Sequence, residues 1–337
     1  MTSRARNRML RRTAVAFAAV LAAAPAAAVA QQPVKLRIAS VSVPPSMHTL
    51  YMHVAHEEGI YRRNGIEVEG LLQLASGPLV TQALAAGRVD VADTDAEGVL
   101  NAVASGFPLL AVAAPSQYLS YWVMVQPEIR SLKDLVGKPF AISRPGALSQ
   151  YLMFPALDRE GIARNAVSWI PIGGPSERRL ALVNNRVKGA LLHLDYALVA
   201  QRDSHVVALD RVVRSNPDYP HEMLVVRKEL VDKQPQVVTA VTRSIIEACR
   251  FIVTNRARTI EIYQKYTSET DLKLAEAAYD ALIGMRGYGV NGGMRQSGLE
   301  AVAKLAVENG AKSIPVAAWA DFRFQDEALK QIGTLAE

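Results

Sequence analysis

The stretch "AISRPGALSQYLM" (141–153) puts a guanidinium and a hydroxyl at the junction between an apolar run and a helix-like run. Two chemistries use such a pair. Ser149 as a nucleophile would need an adjacent base and a strained elbow such as G-x-S-x-G. Arg144 as an anion holder would need only geometry. A strand ending at Ser143, a Pro-Gly turn and a helix start offer free backbone N–H groups around Gly146 and Ala147, and Ser149 adds a hydroxyl donor. Arg144 could then pair bidentately with a carboxylate or sulfonate. The elbow is absent and no His–Asp pair is evident, so no catalytic residue is assigned. The segment reads as an anion-holding junction or as a plain helix cap beside a solvated arginine.

Other strand-to-helix junctions repeat the pattern. Ser42, Ser46 and Met47 follow the first strand-like run, Ser76 and Gly77 the second, and Thr94 and Asp95 the third. Each is a candidate ligand contact, with helix capping as the alternative. Asp95 in a cleft would favour an amino or hydroxyl group over an anion. Further along, Gly173, Gly174 and Ser176 precede a helix, and His193, Asp195 and Tyr196 end a strand. Gln117, Tyr118 and Tyr121 are candidates for an aromatic wall. His53, His56 and Glu57 look metal-like, but zinc needs more ligands and second-shell support; they are read as a solvent-facing helix, and no metal and no cofactor are expected. Arg62-Arg63 and Arg178-Arg179 are read as surface or docking charges. Cys249, the only cysteine, lies in the apolar "SIIEACRFIV" and is read as a small buried hydrophobe.

The elements that must carry these residues alternate. "VKLRIAS", "IEVEGLL", "RVDVAD" and "PLLAVAAPS" are strand-like, and helix-like runs of about a dozen residues separate them. The pattern restarts with "YWVMVQ", "KPFAIS", "AVSWIPI", "VKGALLHL" and "HVVAL", again interleaved with helices. Such alternation implies right-handed βαβ units and parallel sheets. After Val231 the chain is nearly all helical. The extended segments 121–126 and 221–227 bracket the second α/β unit and are expected to be two linker strands between the lobes. That gives a discontinuous first lobe (31–122 and 223–337, with the closing helices), an inserted second lobe (123–222) and a ligand cleft at the carboxyl ends of the strands.

Composition sets the class. The 337 residues suit two lobes, with half hydrophobic and 21% charged. The net charge of +6 is local: five arginines and no acid lie in residues 1–30, and beyond them 33 basic residues face 32 acids. A nucleic-acid partner is therefore not expected. Residues 1–30 have a basic start, the apolar "TAVAFAAVLAAAPAAAVA" and an Ala28-Val29-Ala30 ending, the pattern of a signal peptide cleaved after Ala30. Arg11-Arg12 leaves both the general secretion and the twin-arginine routes open. A periplasmic, monomeric protein is expected.

At this point the chain resembles a family, the periplasmic substrate-binding proteins of ABC importers, in the branch of sulfonate, taurine, nitrate and thiamine-precursor binders (NMT1-like). The resemblance is carried by "LYMHVAHEEGIYRRNGIEVEGLL", "SGPLVTQALAAGRVDVADTDA" and "IRSLKDLVGKPFAI", in that order, and covers roughly residues 34–332. It implies a two-lobed type II-like periplasmic binding fold, each lobe a mainly parallel sheet flanked by helices. It also implies capture of a small anionic or polar organic ligand (sulfonate-, nitrate- or aromatic-carboxylate-like) and delivery to an inner-membrane ABC permease, with no chemistry on the ligand. Two alternatives stay open: an enzyme of this fold related to thiamine-pyrimidine synthesis, whose Cys-rich motif is absent here, and a periplasmic sensory module.

Overall fold

The apolar run near residue 34 forms β1 (Val34–Val41), buried at every position from Ile38 onward. A strand buried on both faces belongs inside a covered sheet. The computed structural model describes residues 32–214 and 216–336; the signal-peptide expectation at 1–30 lies outside them. β2 (Ile66–Leu74) and β3 (Val91–Asp95) pair in parallel with β1. β4 (Leu109–Ser116) completes the excursion, and the chain then crosses to a second sheet. There β5 (Tyr121–Val125), β6 (Pro139–Ile142), β7 (Ser168–Pro171), β8 (Gly189–His193) and β9 (Val207–Arg211) follow, before β10 (Glu222–Arg227) returns to the first sheet. The sheet orders are β2-β1-β3-β10-β4 and β7-β6-β8-β5-β9.

The segments expected as linker strands are strands, and each is an inner member of a sheet. β5 pairs antiparallel with β8 and β9, and β10 pairs antiparallel with β3 and β4. Each is the antiparallel member of an otherwise parallel sheet. The reason is burial: Val123, Met124, Val125, Leu224, Val225 and Val226 are all buried, and an apolar run stripped of water must have its backbone groups paired. The crossings are therefore residues 117–120 and 212–221.

The closing helices cover the first sheet, as their composition requires. In the helix Pro235–Thr254, Val238, Val241, Ile245, Cys249 and Ile252 recur at three- and four-residue spacing and are fully buried. They share one apolar cluster with Leu36 and Ile38 of β1, Val112 of β4 and Leu224 of β10. Cys249 is part of that core, and its thiol is pushed up by burial. Among the described residues no helix is long and apolar enough to cross a membrane.

Candidate functional site

In both sheets the parallel strands bring their carboxyl ends, and the antiparallel strand its amino end, to one cleft. This is where open α/β sheets bind ligands. From the first sheet come Val41 and Ser42 after β1, Ala75–Pro78 after β2, Asp95 at the end of β3 and Glu222 at the start of β10. From the second come Tyr121 at the start of β5, Ser143 and Ala147–Ser149 after β6, Pro175 and Arg178 after β7, and His193 at the end of β8. They enclose a cavity of about 30 Å³. A wider cavity of about 600 Å³ adjoins it through Pro78, Asp95, Ala147 and Leu148, and is lined also by Glu97, Phe107, Arg144 and Gly146.

Several sequence candidates meet at the inner cavity: Ser42, Ser76, Gly77, Asp95, Tyr121, Ala147, Ser149 and His193. Ser42 holds a left-handed backbone (φ 77°), and its buried hydroxyl has no hydrogen-bond partner among the described residues. Such an outlier is what a ligand-facing loop stores. Asp95 is both cap and wall: Oδ1 accepts from the Gly98 N–H at 2.7 Å while the carboxylate faces both cavities. A Cβ on Gly77 would lie 1.5 Å from Asp95 Oδ2, so glycine is the residue that lets this carboxylate sit there. Ser149 Oγ accepts from the Ser143 N–H and lies 3.0 Å from Ser143 Oγ, tying the two sides of the junction together.

Other candidates sit elsewhere. Arg144 and Gly146 line the outer cavity, and Arg144 is exposed. Thr94 is buried beneath the wall, donating to Gly77 O. Gly174 caps the helix after β7 and packs toward Ala75 across the cleft. Gln117 donates to the carbonyls of Arg286 and Tyr288, and the Tyr118 hydroxyl accepts from Arg295, so Tyr121 alone of the expected aromatic wall reaches the cavity. Asp195, Ser46, Met47 and Tyr196 form a bridge between the sheets. Asp195 accepts from Ser46 Oγ (2.7 Å), Met47 N (3.0 Å) and Tyr263 Oη (3.3 Å), while Tyr196 Oη donates to Pro44 O (2.9 Å). His53 is buried, accepts from Gln73 and is pushed down to about 4 by burial, His56 is exposed, and Glu57 is held by Lys265 and Tyr266, so these three do not converge.

Four residues that sequence reasoning did not assign to the site belong to it or adjoin it. Arg178, read as a surface charge, is 2% exposed and lines the inner cavity. Its Nε donates to Leu191 O and its Nη1 to Gly173 O; neither bond is to a carboxylate. The signal was present: Pro175, Arg178, Ala181 and Leu182 form the buried stripe of one helix at helical spacing. His48, His221 and Glu222 gather with His193 at the cavity floor. The His48 and His221 rings stack at 4.1 Å, and His193 meets His48 edge-on at 4.4 Å. Burial pushes His221 down to about 3 and His48 and His193 well below the usual imidazole value, so all three are neutral at pH 7. Burial pushes Glu222 strongly upward.

Glu97 stands at the outer cavity, 3% exposed, with Oε2 unpartnered among the described residues. Burial first, then the nearby Asp95, push its carboxyl up to about 9. A carboxyl raised on folding contributes stability below its unfolded value, near 4.3, and that contribution is lost as pH rises toward 9. Glu97→Gln is therefore expected to raise the melting temperature at neutral pH, by a stability gain of about 3 kcal/mol at pH 7. It should also flatten the decline of the melting temperature between pH 5 and 9. Glu222 adds a slope of the same sign, so part of the decline remains. A melting curve series identical to the parent's across that window would refute this.

Two five-stranded mixed sheets with helices on their faces and a shared cleft define the fold of two-lobed periplasmic binding proteins. Solved structures of this fold include the ligand-binding component of an ABC-type import system from Staphylococcus aureus, with zinc bound; it is 18% identical, with 88% of this chain and 99% of that one aligned at a TM-score of 0.74. The alkanesulfonate-binding protein SsuA of Xanthomonas axonopodis pv. citri, bound to MOPS, is 18% identical over 86% of this chain and 99% of that one, at 0.70. The periplasmic nitrate-binding protein NrtA of Synechocystis PCC 6803 is 14% identical over 90% of each chain, at 0.71. A sequence model described as NMT1/THI5 like matches residues 46–258, and the chain belongs to that family. No curated protein sequence matches it.

Proposed function

We propose that this protein is the periplasmic solute-binding component of an ABC importer. It takes a small oxyanionic solute between its lobes and presents the closed form to a membrane permease. The observation that carries the reading is the inner cavity, whose wall is drawn from both sheets, so that closure and ligand enclosure are one event. The cavity's size suits a compact head group such as nitrate or the sulfonate of a short alkanesulfonate. An organic tail would extend into the outer cavity, past Phe107 and the alanines Ala85, Ala86 and Ala102. Arg178 supports the anionic charge, because among the described residues its buried guanidinium has backbone carbonyls and no carboxylate as hydrogen-bond partners, while Asp95 on the same wall opposes an anion and would take a hydroxyl or amino group of the ligand. The starts of the helices at Gly77, Leu148 and Pro175 line the same space. Relatives of this fold that bind an alkanesulfonate and nitrate support the same class.

A thermal-shift panel of nitrate, alkanesulfonates, benzoate and matched cations tests it. An anion at 100 times its dissociation constant should stabilise the protein by about 2.7 kcal/mol. Stabilisation by cationic compounds alone would overturn the anionic assignment.

A further inference from the structure

We propose that His48, His193, His221 and Glu222 form a binding site for a divalent transition-metal ion of the Zn²⁺ class at the floor of the interlobe cavity. This goes beyond the import reading and does not depend on it. Three of the chain's six histidines bring ligand-type nitrogens within 4.8 Å of one another, all buried. Glu222 Oε1 adds a fourth donor, 3.6 Å from His48 Nε2 and 3.8 Å from His221 Nε2.

These atoms have no other employment. His48 Nε2, both ring nitrogens of His193, His221 Nε2 and Glu222 Oε2 are buried without a hydrogen-bond partner among the described residues. Buried polar groups are almost always paired, and unpaired nitrogens from three rings beside one carboxylate call for a common partner, to which His193 offers one of its two nitrogens. A proton cannot fill that role for every pair, since the separations exceed hydrogen-bond length. A cation can: imidazole nitrogens and a carboxylate are the ligand set for zinc and its neighbours.

The surrounding bonds select the ligating tautomer. Ser46 Oγ donates to Asp195, so it accepts from His48 Nδ1–H at 2.8 Å, which leaves the Nε2 lone pair facing the cluster. This carboxylate–serine–histidine chain is the kind of outer support that orients a metal-binding imidazole. His221 Nδ1 lies 3.2 Å from Ser120 Oγ, which can accept its proton; a 3.4 Å contact from the Ser120 backbone N–H is given up in that tautomer. All three imidazoles are neutral, as a metal requires. The opposing charge is Arg178, on the cavity wall, and the Asp95 carboxylate shares that wall. Zinc–nitrogen bonds near 2.1 Å place ligand nitrogens about 3.4 Å apart in a tetrahedron, so the ring atoms need to close by at most about 1.5 Å, and the stacked rings of His48 and His221 must tilt out of parallel for their in-plane lone pairs to meet at one ion.

The test uses the protein stripped with chelator and titrated with Zn²⁺ by calorimetry and with Co²⁺ by visible absorption. One ion per chain is expected, with the intense d–d bands of a four-coordinate Co²⁺. His193→Ala and His48→Ala should each weaken binding at least 100-fold and abolish those bands. Ser46→Ala, which keeps every imidazole, should weaken it about 10- to 100-fold. His56→Ala and His205→Ala, on exposed residues, should change nothing. If a histidine variant fails to fold, the Ser46 variant and the Co²⁺ spectrum of the parent still decide. Absence of stoichiometric binding by the stripped parent, or binding that survives His48→Ala and His193→Ala, overturns the site. Either result leaves the response to anions in the thermal-shift panel unaffected, so the two readings fail separately.

Discussion

Asp195→Ala is expected to cut ligand affinity by about two orders of magnitude and to lower the melting temperature. The carboxylate is 2% exposed and joins the halves of the molecule. It accepts from Ser46 and Met47 after β1, from Tyr263 of the helix Arg256–Thr267, and from the Tyr196 N–H beside it. Burial pushes its carboxyl up, while the bonds from Ser46, Met47 and Tyr196 pull it back down. Alanine would leave these donors buried and unpaired. An unmade buried bond costs about 1–3 kcal/mol, and the three cross-lobe bonds from Ser46, Met47 and Tyr263 are made when the lobes meet. A loss of closure energy near 2.7 kcal/mol is a 100-fold loss of affinity. Calorimetry with the strongest anion of the panel measures it, and small-angle scattering reads the open fraction. Asp195→Asn keeps one acceptor oxygen and should fall between. A lowered melting temperature with unchanged affinity would reduce Asp195 to a packing role.

The second large effect is expected at Arg178. Arg178→Ala should abolish anion binding to the limit of detection, at least 100-fold, because hydrogen bonds to a charged group contribute about 1.5–3 kcal/mol and the replaced charge is fully desolvated. Arg178→Lys should recover little. A lysine cannot span Gly173 O, Leu191 O and a ligand with one ammonium group, whereas the guanidinium's fork can. Arg144→Ala should cost less, since Arg144 is exposed at the outer cavity. Equal losses at the two arginines would return the anion to the junction at Ser143–Ser149. No loss at Arg178 would remove the anionic assignment of the inner cavity.

The two arginines mark where local pattern is sufficient and where it is not. Alternating apolar strands and dozen-residue helices are enough to name an α/β fold, two sheets and a cleft, because side-chain periodicity follows from the geometry of each element alone. Turn residues likewise point to the loops after β1, β2, β3, β6 and β8, and Ser42, Ser76, Asp95, Ser149 and His193 all reach the cavity. The same local reasoning cannot say which strands cross. β5 and β10 look like connectors in sequence and become the antiparallel strands of the sheets, because pairing partners are chosen by burial between distant segments.

Side-chain direction at a loop is decided the same way. Arg144 follows its strand and points out; Arg178 sits on the inward stripe of its helix and points in. Thr94 and Asp95 are neighbours, yet one is buried under the wall and the other forms it. His48, His193 and His221 come from three separate segments with no common motif. The residues of the chain dictate that strands end at these segments. Their meeting is dictated by the packing of one sheet against the other, which costs each imidazole its water and leaves their nitrogens facing one another at the cavity floor.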